Sequence, residues 1–145
     1  MTLKIVIAPQ SFKGNISALE AARAIERGVL SAEPSAATVL APVADGGDGT
    51  LDALVEGTGG QFIRSTVTGP LGQSVEATWG VMGDGRTAVI EMARASGLAM
   101  VPPRRRNPRL TTTRGTGEII KEALDKGFGH IIVGLGGSAT NDGGA

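Results

Sequence analysis

Short apolar runs, helical periodicities and glycine-rich polar loops succeed one another along the first third of the chain. Leu3-Lys4-Ile5-Val6-Ile7-Ala8 is a β-branched run that ends in Pro9 and a polar loop through Asn15, which predicts a first strand. Ser17-Ala18-Leu19-Glu20 has the spacing of a capping box, and Ile16, Leu19, Ala22, Ile25 and Val29 recur at helical intervals before Pro34, predicting a helix over about Ser17 to Ser31. Thr38 to Val43 is a second strand candidate. Asp45-Gly46-Gly47-Asp48-Gly49-Thr50 follows it, then a short helix near Leu51 to Glu56 closed by Gly57.

The middle of the chain changes rhythm. Phe62 to Thr68, Ser74 to Met82 and Thr87 to Met92 are β-prone, separated only by Gly69-Pro70-Leu71-Gly72 and Gly83-Asp84-Gly85-Arg86, so they predict an antiparallel meander. After the Pro102 to Pro108 connector, Thr116-Gly117-Glu118 opens a helix with Ile119, Ile120, Ala123 and Leu124 on one face. Gly127 ends it, and a final strand runs from Ile131 into a glycine-rich loop. The expected class is α/β: a doubly wound, mostly parallel, Rossmann-like sheet built from residues 1–60 and 111–145, carrying a β-rich insertion over 61–110 as part of a second domain, and incomplete at the C-terminus.

Composition narrows the classes of function. The 145 residues carry 14 basic and 14 acidic side chains, 23 glycines and no cysteine. A chain of this length buries roughly 70% of the surface its unfolded form exposes, enough for a core without staples. With no thiol and a single imidazole at His130, disulfides, thiolate sites and zinc centres are not expected, and a cytoplasmic setting is. The first apolar run is too short for a signal sequence or a membrane span, so no membrane partner is expected. Zero net charge and four scattered aromatics, Phe12, Phe62, Trp79 and Phe128, give no basic stripe for nucleic acid.

In a parallel α/β sheet, ligands gather outside the carboxyl ends of the strands, and three such ends carry polar chemistry here. After the first strand, Gln10, Ser11 and Lys13 precede a helix N-terminus, where N–H donors and an ammonium suit a phosphate; an ordinary capped loop would look the same. After the second, Asp45 and Asp48 flank two glycines, so both carboxylates can approach a magnesium ion or a hydroxyl proton. Helix capping by Asp48 or Thr50 and turn formation by Asp45 account for the same residues. The terminal loop is the richest, with Gly136, Gly137, Ser138, Thr140, Asn141 and Asp142 gathering N–H groups, hydroxyls and a carboxylate near one point.

Other segments carry less. Gly80-Val81-Met82-Gly83-Asp84-Gly85-Arg86-Thr87 has Walker A spacing except for Arg in place of Lys, yet Ala88-Val89-Ile90-Glu91 continues as strand where that motif needs a helix. Gly134-Leu135-Gly136-Gly137-Ser138-Ala139 fits a dinucleotide fingerprint only formally, its acidic partner lying past the chain. Arg104-Arg105-Arg106 reads either as a solvated run beside prolines or as a clamp for carboxylate or phosphate. Arg114 precedes a helix start, and His130 enters the last strand.

Four separated motifs together resemble one family. They are Ala8-Pro9-Gln10-Ser11-Phe12-Lys13-Gly14, Pro42 to Thr50, Glu91-Met92-Ala93 with Ala95-Ser96-Gly97-Leu98, and Gly136 to Gly144, and they are similar in order to the N-terminal part of the bacterial-type (class I) glycerate kinase family. The resemblance implies ATP-dependent phosphorylation of D-glycerate at its 2-hydroxyl, with Mg2+, in a two-domain α/β protein unrelated to Walker-type kinases and more than twice this length. It leaves a homo-oligomer open. The chemistry expected is positioning and charge neutralisation. Lys13, with Ser11 and the Gly136 to Thr140 backbone and Asn141, would hold phosphates. Asp142, with Asp48, or Asp45 would hold magnesium, and the remaining carboxylate would orient or deprotonate the hydroxyl. Three positions depart from the family: Gln10 for Asp, Asp48 for Glu, and Arg94 for a small residue. A nucleotide- or dinucleotide-binding module without kinase activity, or an inactive fragment, is the alternative.

Overall fold

The computed structural model describes residues 2–12 and 15–144. Lys13 lies outside the described residues, and the chain divides into two compact units, 1–44 and 45–145.

In the first unit, β1 (Lys4–Ile7) pairs in parallel with β2 (Ala37–Leu40), and α1 (Ala18–Ala32) joins them. The helix begins where the capping box predicts it: the Glu20 N–H donates to Ser17 Oγ at 3.2 Å, and the Ser17 N–H donates to Glu20 Oε2 at 2.8 Å. Ala18, Ala21 and Ala22 are its buried positions. β2 stops at Leu40, two residues short of Pro42, which has no N–H to extend a ladder.

The second unit holds α2 (Thr50–Gly57), β3 (Gln61–Thr68), β4 (Ser74–Val81), β5 (Thr87–Glu91), α3 (Ala93–Ser96), α4 (Arg114–Asp125) and β6 (His130–Gly134). Its strands form one sheet in the order β3-β4-β5-β6. The meander over β3, β4 and β5 is antiparallel as the short turns require, and β6 adds to β5 in parallel, pairing Ala88 with Ile131, Val89 with Ile132 and Ile90 with Val133. One sheet therefore runs through residues on both sides of position 110.

Alternation along β5 sends side chains to two cores, because successive strand residues face opposite ways. Val89 packs with Leu51 and Val55 of α2, whereas Ala88 and Ile90 join Trp79, Ala77, Ile119 and Ala123 beneath α4. Trp79 has no exposed surface, donates from Nε1 to Ser65 Oγ at 2.9 Å and meets Phe128 edge-on at 5.9 Å. Glu118 ties α4 to the end of β3, accepting from the Thr68 N–H at 2.7 Å. Covered on both faces, the sheet leaves the carboxyl ends of β5 and β6 as the place where loops gather. Among the described residues, no helix is long and apolar enough to cross a membrane.

Candidate functional site

The parallel pair β5–β6 ends at Glu91 opposite Gly134, and the Met92 N–H donates to the Gly134 carbonyl at 3.0 Å. Three loops of the second unit meet there: residues 45–49 before α2, 92–98 after β5 and 135–142 after β6.

The first loop is held by a residue far along the chain. The α2 N-cap is Gly49, whose φ of 91° lies in the left-handed region open to glycine, and as a glycine it brings no side chain to cap the helix. Glu91, 1% exposed, does this instead: its Oε2 accepts from the Gly49 N–H at 3.1 Å and the Leu51 N–H at 3.0 Å. A buried carboxylate thus satisfies two N–H groups left over at a helix start and sits at the positive end of its dipole. Arg94 neutralises it, with Nε 3.2 Å from Glu91 Oε1 and Nη2 2.6 Å from Asp52 Oδ2. Asp45 does make a turn, its Oδ1 accepting from the Gly47 N–H at 3.0 Å, and the Thr50 hydroxyl accepts from the Gly46 N–H at 3.0 Å. Glu91 thus contributes to capping α2, the role that the sequence offered to Asp48 or Thr50.

The first and third loops touch backbone to backbone. Gly136 donates its N–H to the Gly46 carbonyl at 2.7 Å, and a Cβ placed on Gly136 would lie 2.4 Å from Gly47 Cα. No side chain fits between them. A Cβ on Gly137 would lie 3.2 Å from Asp48 Oδ1 and 3.2 Å from Ala93 Cβ, so the Asp48 carboxylate stands beside Gly137. The second loop braces the third through the Leu98 N–H on the Gly137 carbonyl at 2.8 Å and the Ala139 N–H on the Ser96 carbonyl at 3.0 Å. Ser138 Oγ accepts from the Thr140 N–H at 3.0 Å, and Thr111 Oγ1 donates to the Ala139 carbonyl at 2.8 Å. The amides of Gly136, Ala139 and Thr140 are therefore used within the chain.

Asp142 is anchored to the start of α4. Its Oδ2 accepts from the Thr113 N–H at 2.7 Å, and the Thr113 hydroxyl lies 3.1 Å from each carboxylate oxygen. The Thr113 N–H holds the carboxyl below its ordinary value of 3.8, outweighing partial desolvation. A depressed folded-state value means that this carboxylate stabilises the fold above the unfolded value, and that the contribution is lost as pH falls through the folded value. Asp142→Asn is expected to flatten the acid limb of the stability curve below pH 3.8. Denaturant midpoints of both proteins from neutral to acid pH check this, and parallel acid limbs would contradict it.

Of the residues expected from sequence, Asp45, Asp48, Gly136, Gly137, Ser138, Thr140 and Asp142 fall in these neighbouring loops, and Asn141 is exposed on the third. Ser11 is half-buried in the first unit, ahead of a turn in which the Phe12 N–H donates to the Ile16 carbonyl at 3.0 Å. Sequence reasoning gave no role to Glu91, Arg94 or Thr113. The available signal was Glu91 itself, a charge closing the otherwise apolar strand Ala88-Val89-Ile90. Among the described residues no three His, Cys, Asp or Glu side chains converge as a metal cage. Magnesium needs only one or two carboxylates beside substrate phosphates and water, so the exposed Asp45 and Asp48 and the oriented Asp142 are donors of the right kind.

Comparison with known proteins sets these loops in context. The sequence profile of the Glycerate kinase family matches residues 5–145. A glycerate kinase of Bacillus subtilis (strain 168) is 63% identical over 143 residues, 99% of this chain and 37% of the relative. The glycerate 2-kinase of Escherichia coli (strain K12) is 57% identical over 143 residues, 99% of this chain and 38% of the relative. The crystal structure of a candidate glycerate kinase 2 from Salmonella typhimurium LT2 superposes with a TM-score of 0.88 at 56% identity, over 100% of this chain and 39% of the other. The chain spans about 38% of the length of the curated relatives it matches.

Proposed function

Because this chain belongs to the glycerate kinase family, we propose that the protein carrying it transfers a phosphoryl group from ATP to D-glycerate in the cytoplasm, giving 2-phosphoglycerate. The observation that carries this reading is the backbone contact of the Asp45–Asp48 loop with the Gly136–Gly137 loop at the ends of β5 and β6. The 2-hydroxyl as acceptor is supported by the Escherichia coli relative, a glycerate 2-kinase. The longer protein would contain the doubly wound, mostly parallel sheet and the insertion over 61–110 expected from sequence.

Phosphoryl transfer asks a protein for position and for compensation of spreading negative charge, with little covalent help. The Gly137 and Ser138 backbone, with the Ser138 and Thr140 hydroxyls and Asn141, presents donors to phosphate oxygens; the amides of Gly136, Ala139 and Thr140 hold the loop in shape instead. In the sequence, Ser11 and Lys13 follow the first apolar run and carry a hydroxyl and an ammonium of the kind that pairs with phosphate. Asp48 and Asp142 would hold Mg2+, which neutralises charge on the transferring group. Thr113 orients Asp142 and favours its anionic form. Asp45 accepts the proton of the glycerate hydroxyl or aligns that hydroxyl for attack.

The test is ADP formation with D-glycerate, MgCl2 and ATP, with the product identified by phosphorus NMR, on this chain and on a full-length relative. A 2-phosphoglycerate signal from the relative supports the assignment, and from this chain as well it shows that these loops suffice. A relative that consumes no ATP with D-glycerate defeats it.

A further inference from the structure

The arginine run left unused by this function lines a cavity of its own. Arg104 and Arg105 lie on a 3-10 turn over Pro103–Arg105, and with Arg106, Asn107, Leu71 and Leu110 they line an open surface pocket of about 320 Å3. That volume suits a small ligand rather than a bare ion.

Three facts make the cavity a built feature. Its backbone is stiffened by Pro102, Pro103 and Pro108, and the Arg105 N–H closes the turn on the Pro102 carbonyl at 2.8 Å. Arg106 Nε donates to the carbonyl of Val101, which is 1% exposed, so one guanidinium is fastened to the core. The ion pairs among the described residues involve Arg94, Arg114, Lys121 and Lys126, and none of Arg104, Arg105 or Arg106. Arg104, Arg105 and Arg106 are exposed and line the same pocket, so an anion drawn into it can be shared by more than one guanidinium. Their planar forks match carboxylate and phosphate, while Leu71 and the 75%-exposed Leu110 offer apolar wall to a carbon skeleton.

We propose that this cavity binds a small organic polyanion, carrying two or more phosphate or carboxylate groups, as an effector distinct from the phosphates of the loop after β6. The segment that lines it continues into Thr111, which holds the Ala139 carbonyl, and Thr113, which holds Asp142. Occupancy at the arginines is thereby joined by a few bonds to the terminal loop.

The test is a 15N NMR titration of the protein with sodium pyrophosphate and, separately, sodium citrate, each against sodium chloride at equal ionic strength. Saturable shifts of the 104–110 amides with at least one of the two are expected, accompanied by shifts at Ala139 and Asp142. Pyrophosphate alone would assign phosphate chemistry, and citrate alone carboxylate chemistry. In R104Q/R105Q, which changes two exposed side chains, the affinity is expected to fall at least tenfold, while shifts of Gly137 and Ser138 caused by ATP persist. Shifts reproduced by sodium chloride, confined to residues 136–140, or unchanged in the double variant would overturn the proposal.

Discussion

Asp45→Asn in the full-length protein is expected to lower turnover with D-glycerate by about a hundredfold or more, the usual weight of a positioned base or metal-bound carboxylate. The substitution isolates charge from shape. Asn Oδ1 can still accept the Gly47 N–H that Asp45 accepts at 3.0 Å, so the turn survives while proton acceptance and anionic ligation do not. Steady-state ADP release checks it, with a melting curve as control for folding. Turnover within a few-fold of the parent would remove Asp45 from the reaction and leave it a turn residue.

Glu91→Ala acts on the frame. It deprives the Gly49 and Leu51 N–H groups of their acceptor and Arg94 of one of its two partners, in a place where Glu91 itself is 1% exposed. Unmet buried donors cost about 1–3 kcal/mol each, and Arg94 keeps Asp52 and some access to water, so the expected loss is roughly 2–4 kcal/mol. Glu91→Gln retains an acceptor for both N–H groups and is expected to lose less. Guanidinium midpoints at constant m-value decide the matter. An alanine variant as stable as the parent would mean that the start of α2 is satisfied some other way.

Local signals explain what the sequence disclosed. Ser17 and Glu20 form the predicted box, Gly69 to Gln73 and Met82 to Arg86 make the tight meander turns, and β6 begins within a residue of its expected start. The candidate loops were legible because glycine, aspartate and hydroxyl residues crowd beside strand ends. What stayed hidden depends on partners distant along the chain. That β6 would choose β5 rests on the matched apolar faces of Ala88 to Ile90 and Ile131 to Val133. That Glu91 would cap α2 rests on an approach that no local pattern encodes, 40 residues away from Leu51. Arg94, read only as a departure from the family, is the cation that makes a buried Glu91 tolerable.

The parallel pairing of β5 with β6 bears on how the protein folds. β3, β4 and β5 are joined by tight turns and can zip early, whereas Thr87 meets His130 only after the whole segment through α4 has closed into a loop. Loop closure is an entropic cost borne before any contact rewards it, so β6 docks late and is among the first elements to open again. The terminal glycine loop travels with β6. Competence and foldedness consequently have separate thresholds: a molecule can keep its meander and still have lost every contact that shapes the ends of β5 and β6, a loss that Trp79 would report because Phe128 and Ile131 pack against its core.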